Sequence, residues 1–318
     1  MTAPRRTIGS SDLEVFPLSL GGNVFGWTAD RETSFDVLDG YTAAGGNFVD
    51  TADGYSAWVP GNTGGDSERI LGEWFEARGN RDQVVLATKV SQHPDFKGLA
   101  ADNIRRAADA SLERLKSDYI DLYYAHFDDE TVPLEETVAA LSGLVDAGKV
   151  RYIGISNYSP ERIEEWFRIT EREGLHRAVA LQPHYNLVER GYETTYRPIA
   201  EREGLGVMPY FALAAGFLTG KYRDGVTVDS ARAGGAAKYL DDTGRTVLSA
   251  LDEVAAAHGA SVASVALAWL AAQPTITAPI ASARTTEQLP DLLASVDLEL
   301  TGDELEALAG ASEAAKAA

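Results

Sequence analysis

Three short apolar runs in this sequence end in a residue able to do chemistry: Phe48-Val49-Asp50, Val84 to Lys89, and Ile120 to His126. Each reads as a β-strand, and strand alternation puts Phe48 with Asp50, Ala87 with Lys89, and Tyr124 with His126 on one face. If that face is a shared interior, Asp50, Lys89 and His126 converge at one end of it. A lone ammonium or carboxylate loses its hydration there, so Lys89 and Asp50 are expected to pair. Tyr55, just beyond Asp50, can loop back over the same place. An ammonium beside it is expected to lower its pKa by favouring the phenolate, which makes the phenol a usable proton donor near neutrality. His126 then holds a carbonyl oxygen within reach of that donor. This group suits protonating an oxygen as negative charge develops on it, as carbonyl reduction by hydride requires. Taken singly, each residue has an ordinary structural use; their placement on three consecutive strand ends carries the reading.

Positioning them requires a regular frame. Eight candidate strands run along the chain: Leu18 to Gly21, Asn47 to Thr51, Val84 to Lys89, Ile120 to His126, Val150 to Ser156, Val179 to Gln182, Val207 to Tyr210 and Ile276 to Ile280. Between them lie candidate helices, among them Ser67 to Arg78, Ala101 to Lys116, Leu134 to Ala147, Pro160 to Glu173 and Thr194 to Glu203. In the second of these, Ile104, Ala108, Leu112 and Leu115 recur at three- and four-residue steps, as an apolar helix face does. Gly79, Gly148, Gly174 and Gly204 stand where helices should stop. Such alternation predicts an α/β fold, a (β/α)8 TIM barrel, in which catalytic groups sit at the C-terminal strand ends. Thr7 to Val15 reads as an N-terminal β-hairpin that plugs or caps something, and Thr301 to Ala318 as a C-terminal helix. Ala212 to Thr246, rich in Gly and Ala, is too long for an ordinary connection and reads as a functional or mobile loop. No linker or low-complexity tract divides the chain, so residues 1–318 read as a single barrel domain.

Composition narrows the function. Of 318 residues, 28 are Lys or Arg and 48 are Asp or Glu, a formal charge of −20. So acidic a chain is a poor binder of nucleic acid or of anionic membrane, both of which need a basic face. Any anionic ligand therefore needs a local basic site. The absence of cysteine excludes disulfides, thiolate metal sites and cysteine nucleophiles. His93, His126, His176, His184 and His258 are too dispersed to suggest a metal. The longest nearly apolar run, Ala260 to Ala272, is too short to span a bilayer, and nothing reads as a signal peptide. The expectation is a cytoplasmic protein of undetermined oligomeric state. Gly21 to Gly26 has the wrong spacing for a G-x-G-x-x-G dinucleotide fingerprint, and Lys221-Tyr222 does not complete a phosphate-binding loop.

The order and spacing of several blocks make the sequence resemble the aldo-keto reductase family nearly end to end. They are Arg6 to Pro17, Phe48 to Tyr55, Asp66-Ser67-Glu68 with Leu71-Gly72, Ala87-Thr88-Lys89, Gly154 to Tyr158, Gln182 to Asn186 and Gly216 to Tyr222. The resemblance implies reduction of an aldehyde or ketone, a small-molecule carbonyl substrate, with NADPH or less often NADH. It implies a catalytic tetrad at Asp50, Tyr55, Lys89 and His126, with Tyr55 as general acid. Ser156, Asn157 and Gln182 would bond the nicotinamide carboxamide and Tyr210 would stack on its ring. Leu213, Gly216 and Lys221 would line the pyrophosphate passage with Arg232 closing over it, and Ser282, Arg284, Gln288 and Asp291 would surround the adenosine end. Arg284 favours NADPH, since a guanidinium pairs with the 2′-phosphate. Three positions depart from the family pattern: Phe211 replaces a common serine, Ser282 a common glycine, and Leu292 an asparagine that usually meets adenine.

Substrate contacts are expected from Val24, Phe25, Trp27, Tyr55, Trp58, Phe127 and Tyr158, whose rings suit an apolar or ring-bearing compound. Two other functions remain open at this point. One is a cofactor-binding regulatory subunit of the same fold with little turnover. The other is a barrel glycosidase pairing Asp50 with Asp128 or Asp129, which Lys89 disfavours by holding Asp50 ionised and occupied.

Overall fold

A computed structural model describes residues 4–314. Two short antiparallel strands, β1 (Arg6–Thr7) and β2 (Glu14–Val15), form the opening hairpin. Eight parallel strands follow: β3 (Ser19–Gly21), β4 (Phe48–Asp50), β5 (Val85–Val90), β6 (Ile120–Ala125), β7 (Val150–Ser156), β8 (Ala178–Gln182), β9 (Gly206–Val207) and β10 (Ile280–Ala281). They pair in chain order, and β10 returns to β3. The ring closes through the segment before β10: Thr277 donates to the Val207 carbonyl at 2.9 Å and Ile280 to that of Pro209 at 2.9 Å, while Ser19 donates to Pro279 on the other side. The expected (β/α)8 barrel with its N-terminal hairpin is the observed fold.

The helices lie outside the ring: α1 (Arg31–Ala43), α2 (Asp66–Arg78), α3 (Ala101–Leu115), α4 (Leu134–Asp146), α5 (Pro160–Glu173), α6 (Tyr192–Thr195), α7 (Arg197–Glu203), α8 (Ala233–Ala237), α9 (Asp242–His258), α10 (Val262–Ala271), α11 (Leu289–Ala294) and α12 (Gly302–Ala314). Their ends follow from local chemistry. Ser159 caps α5 by accepting from the Arg162 N–H, Pro160 opens its first turn, and Gly174 ends it in the left-handed region. The face of α3 formed by Ile104, Ala107, Ala108, Ser111 and Leu115 is buried, with Leu112 at its margin. Among the described residues no single helix is long and apolar enough to cross a membrane, and α9 and α10 meet at 98°. The apolar run from Ala260 is the buried α10.

Strand residues and their immediate neighbours fill the barrel interior: Phe48, Val85, Ala87, Leu122, Tyr124, Val179, Ala180, Met208 and Ala278 form one cluster, which Ile8, Leu13 and Val15 of the hairpin join. The hairpin therefore plugs the N-terminal end. Its turn approaches so closely that a Cβ on Gly9, at φ +50°, would lie 2.3 Å from the Val179 carbonyl oxygen. Higher in the barrel the Tyr124 ring lies flush against the backbone of β7, where only a glycine fits: a Cβ on Gly154 would meet it at 2.3 Å.

Four expected elements differ. The strands expected over Val207 to Tyr210 and Ile276 to Ile280 are cut to Gly206–Val207 and Ile280–Ala281, because Pro209 and Pro279 lack the N–H a ladder needs. The helix expected from Thr194 breaks at Tyr196, since Pro198 is tolerated only in a first turn. The long segment from Ala212 contains two helical pieces, and its last residues, Asp242 to Thr246, are the first turn of α9, capped by Asp241. The expected C-terminal helix runs from Gly302 to Ala314, and its last expected residues lie outside the described ones.

Candidate active site

Lys89 is fully buried near the C-terminal end of β5, and its ammonium makes three hydrogen bonds. It donates to Asp50 Oδ2 at 2.6 Å, to the Thr51 carbonyl at 2.7 Å and to Tyr55 Oη at 3.0 Å. All three ammonium protons are thus used. An ammonium only donates, so the Tyr55 oxygen accepts, and its own proton is left to point elsewhere. Burial works to lower the Lys89 pKa, but the Asp50 charge and the Tyr55 oxygen outweigh it and hold the amine protonated. The other Asp50 oxygen accepts from Gln182 Nε2 at 2.8 Å. His126, just past β6, sets its ring 6.1 Å from that of Tyr55 in an edge-on arrangement.

The proton inventory differs from expectation in one respect. Burial of the Tyr55 phenol raises its pKa above the usual value, and Lys89 only partly opposes this, with Asp50 adding to the rise. The expected net lowering is overturned because loss of hydration around the hydroxyl exceeds the field of one ammonium that is itself half-neutralised by a carboxylate. His126 is pushed well below its ordinary value, by burial first and by Lys89 second. At neutral pH the phenol holds its proton and the imidazole is neutral. Among these groups, the proton available to an incoming oxygen is that of Tyr55.

Asp50, Tyr55, His126, Asn157 and Gln182 open on one cavity of about 640 Å³ at the C-terminal face. Its far wall is lined by Tyr210, Leu213, Gly216, Lys221, Arg232, Ser282, Arg284, Gln288 and Asp291. Ser156 lies behind this wall, fully buried, and donates to the Gln182 carbonyl at 2.9 Å. Asn157 sits at φ +56°, a conformation that asparagine tolerates, and its amide bonds the His126 carbonyl and Ser156 Oγ while accepting from Tyr210 Oη at 2.8 Å. His184 stacks on Tyr210 with ring centroids 5.3 Å apart and planes 12° apart, so the other face of Tyr210 is the one turned to the cavity it lines. The loop from Phe211 to Gly216 holds four left-handed residues, Phe211, Ala214, Ala215 and Gly216, a concentration of backbone strain of the kind found at binding sites.

Lys221, Arg232 and Arg284 bring three cations together, and none of them forms an ion pair with a carboxylate among the described residues. Burial and then the neighbouring guanidiniums lower the pKa of Lys221, and burial and then Arg284 that of Arg232. In so acidic a protein, such a cluster needs an anion to complete it. Arg232 lies over the Trp27 ring and donates to Asn23 Oδ1 at 3.1 Å, which also accepts from Ser282 Oγ at 2.8 Å. Asn23 was not among the expected site residues; its signal is its place just beyond the C-terminal end of β3. The Gln288 side chain accepts from the Arg284 N–H at 2.8 Å, and Leu292 lines the same end of the cavity.

Trp58, Phe127 and Phe211 are exposed large hydrophobic residues at the cavity mouth. Trp27 packs edge-on against Trp58. Val24, Phe25 and Tyr158, expected as substrate contacts, are instead buried in the core. Asp128 is held by Arg162 through two bonds, at 2.7 and 2.9 Å, and Asp129 accepts from the Leu99 N–H, so each proposed glycosidase partner of Asp50 is already committed.

Behind the Tyr55 loop lies a second buried acid. Asp53 is fully buried and has no side-chain hydrogen-bond partner among the described residues, while Glu68 nearby accepts from Thr88 Oγ1 at 2.6 Å and Arg114 Nε at 2.7 Å. Burial and then the Glu68 charge push the Asp53 pKa up to about 7 from 3.8, against the pull of Arg114. A carboxyl raised in the folded state binds its proton more tightly when folded. Stability is therefore unaffected below the unfolded value, falls as pH rises from about 3.8 towards 7, and stays lowered above that. Asp53→Asn is expected to raise the denaturation midpoint at pH 8 while changing it little at pH 4. An unaltered pH dependence in that variant would refute the assignment.

The profile of the Aldo/keto reductase family matches residues 17–313. Norsolorinic acid reductase B of Aspergillus parasiticus is 34% identical over an alignment covering 97% of this chain and 84% of its own. YrpG, an uncharacterised oxidoreductase of Bacillus subtilis, is 36% identical, covering 92% and 91%. An aryl-alcohol dehydrogenase [NADP(+)] of Phanerodontia chrysosporium is 32% identical, covering 93% and 82%.

Proposed function

Because the chain belongs to the aldo/keto reductase family and is an oxidoreductase, we propose that it reduces an aldehyde or ketone to an alcohol with NADPH, Tyr55 acting as general acid. The observation that carries this reading is the Lys89 ammonium, 3.0 Å from Tyr55 Oη and 2.6 Å from Asp50 Oδ2, buried behind these two residues, which line an open cavity. A carbonyl oxygen seated against Tyr55 receives the phenolic proton, and Lys89 stabilises the phenolate as it forms. Neutral His126 helps to hold that oxygen without competing as the acid. Asp50 keeps the ammonium charged and in place.

A nicotinamide cofactor bound in this cavity would supply the hydride for the carbonyl carbon. Its fit rests on the donor set: the ring face of Tyr210, the carboxamide partners Asn157 and Gln182 with Ser156 behind them, and the three unpaired cations for pyrophosphate and 2′-phosphate. The aromatic mouth at Trp58 and Phe127 favours a ring-bearing substrate.

The test is a panel of aliphatic and aromatic carbonyl compounds mixed with protein and NADPH, followed by loss of the reduced nicotinamide absorbance. Consumption that depends on the carbonyl compound supports the proposal. Binding without consumption refutes it and leaves the regulatory-subunit reading. Arg284→Ala is expected to raise KM for NADPH by ~10–100-fold, the loss of one charge-assisted pair worth ~1.5–3 kcal/mol, with KM for NADH nearly unchanged. Equal losses with both cofactors would remove Arg284 from the 2′-phosphate.

A further inference from the structure

A run of hydrogen bonds crosses the site from the cofactor wall to the proton donor. Tyr210 Oη donates to Asn157 Oδ1 at 2.8 Å, and Asn157 Nδ2 donates to Ser156 Oγ at 3.0 Å. Ser156 Oγ donates to the backbone carbonyl of Gln182 at 2.9 Å. From there the Gln182 side chain reaches across the barrel, and its Nε2 donates to Asp50 Oδ1 at 2.8 Å. Asp50 Oδ2 and Tyr55 Oη share Lys89. Gln182 is the joint: its main chain is tied to the cofactor wall and its side chain to the acid–base group.

Asp50 is 2% exposed, so its charge is stabilised by donors rather than by water. Lys89 supplies one and Gln182 the other. Without the Gln182 donor, the buried Asp50 charge is met by Lys89 alone and draws the ammonium towards itself, away from the phenol. We infer that Gln182 is a positioning residue for the proton transfer, fixing Asp50 and, through Asp50 and Lys89, setting how readily Tyr55 gives up its hydrogen. The inference rests on the carbonyl-reductase reading above and adds a role to the residue's expected cofactor contact.

The experiment is the pH profile of kcat for carbonyl reduction at saturating NADPH in the wild type, Gln182→Met and Gln182→Glu. In the wild type the rate falls on the alkaline side as Tyr55 loses its proton. In Gln182→Met that fall is expected to move up by about one pH unit, with kcat down about tenfold near pH 7, the rate equivalent of one unit of acid strength. Gln182→Glu keeps the shape of the side chain and donates to Asp50 only while protonated, so its profile gains a titration absent from the other two. That variant decides the matter if Gln182→Met does not fold, which NADPH binding by tryptophan fluorescence reports. A rise in cofactor KM with kcat and profile unaltered in Gln182→Glu means that Gln182 only contacts the cofactor, and overturns the inference alone. A wild type that consumes no NADPH with any carbonyl compound overturns both the inference and the reading beneath it.

Discussion

Tyr55→Phe is expected to lower turnover of any carbonyl substrate by ~10²–10⁴-fold, the range spanned by general acid catalysis, while NADPH binds with unchanged affinity. The substitution keeps the ring that packs edge-on against Trp58 and His126 and removes only the hydroxyl. His126 cannot take over, because burial and Lys89 keep its imidazole neutral. The loss should fall on kcat and kcat/KM alike, since the proton moves only in the transition state. Undiminished turnover, with binding followed in parallel by fluorescence, would remove Tyr55 from the chemistry.

Lys89→Met is expected to act on both rate and stability, and the two are separable. Removing the ammonium deprives the forming phenolate of its counter-charge, which shifts a neighbouring acid by 1–3 pKa units and so slows proton transfer by ~10–10³-fold. It also strands Asp50, 2% exposed, with Gln182 as its only side-chain partner among the described residues. Breaking a buried ion pair from one side costs about 3–5 kcal/mol, which denaturant unfolding would register as a lowered midpoint. Asp50→Asn in the Lys89→Met background removes the stranded charge, so the double variant should regain most of the stability and none of the activity. A double variant as unstable as the single one would show that packing around the lysine stem, rather than the uncompensated carboxylate, sets the loss.

The parts of the fold governed by local periodicity were legible in the sequence. Two-residue alternation over β4 to β6 places Asp50, Lys89 and His126 on one face, and Ser159-Pro160 with Gly174 bounds α5 to the residue. Where two local rules compete, legibility ends. Pro209 and Pro279 shorten the last two strands although their neighbours read as apolar runs, and Pro198 divides what periodicity joins. The Gly- and Ala-rich approach to α9 masked the Asp241 cap that begins it. At the site, residue types and strand ends were readable, but contacts spanning the chain were not. The Gln182–Asp50 bond links positions 132 apart, and Asn23 meets Arg232 across 209. The sign of the Tyr55 shift was unreadable for a related reason. It depends on how deeply the hydroxyl is withdrawn from water, which pattern does not encode.

The cluster of Lys221, Arg232 and Arg284 stands in a molecule whose surplus charge is −20. Beyond the ~8 Å over which charge is felt at physiological ionic strength, a dinucleotide meets neither the cluster nor the surplus. In dilute buffer that distance lengthens, and an approaching polyanion is first repelled by the whole surface and attracted only once inside the mouth. For the proposed cofactor, added salt would then act in two opposite senses, easing arrival by hiding the negative exterior and loosening a dinucleotide seated against the three cations by weakening their attraction.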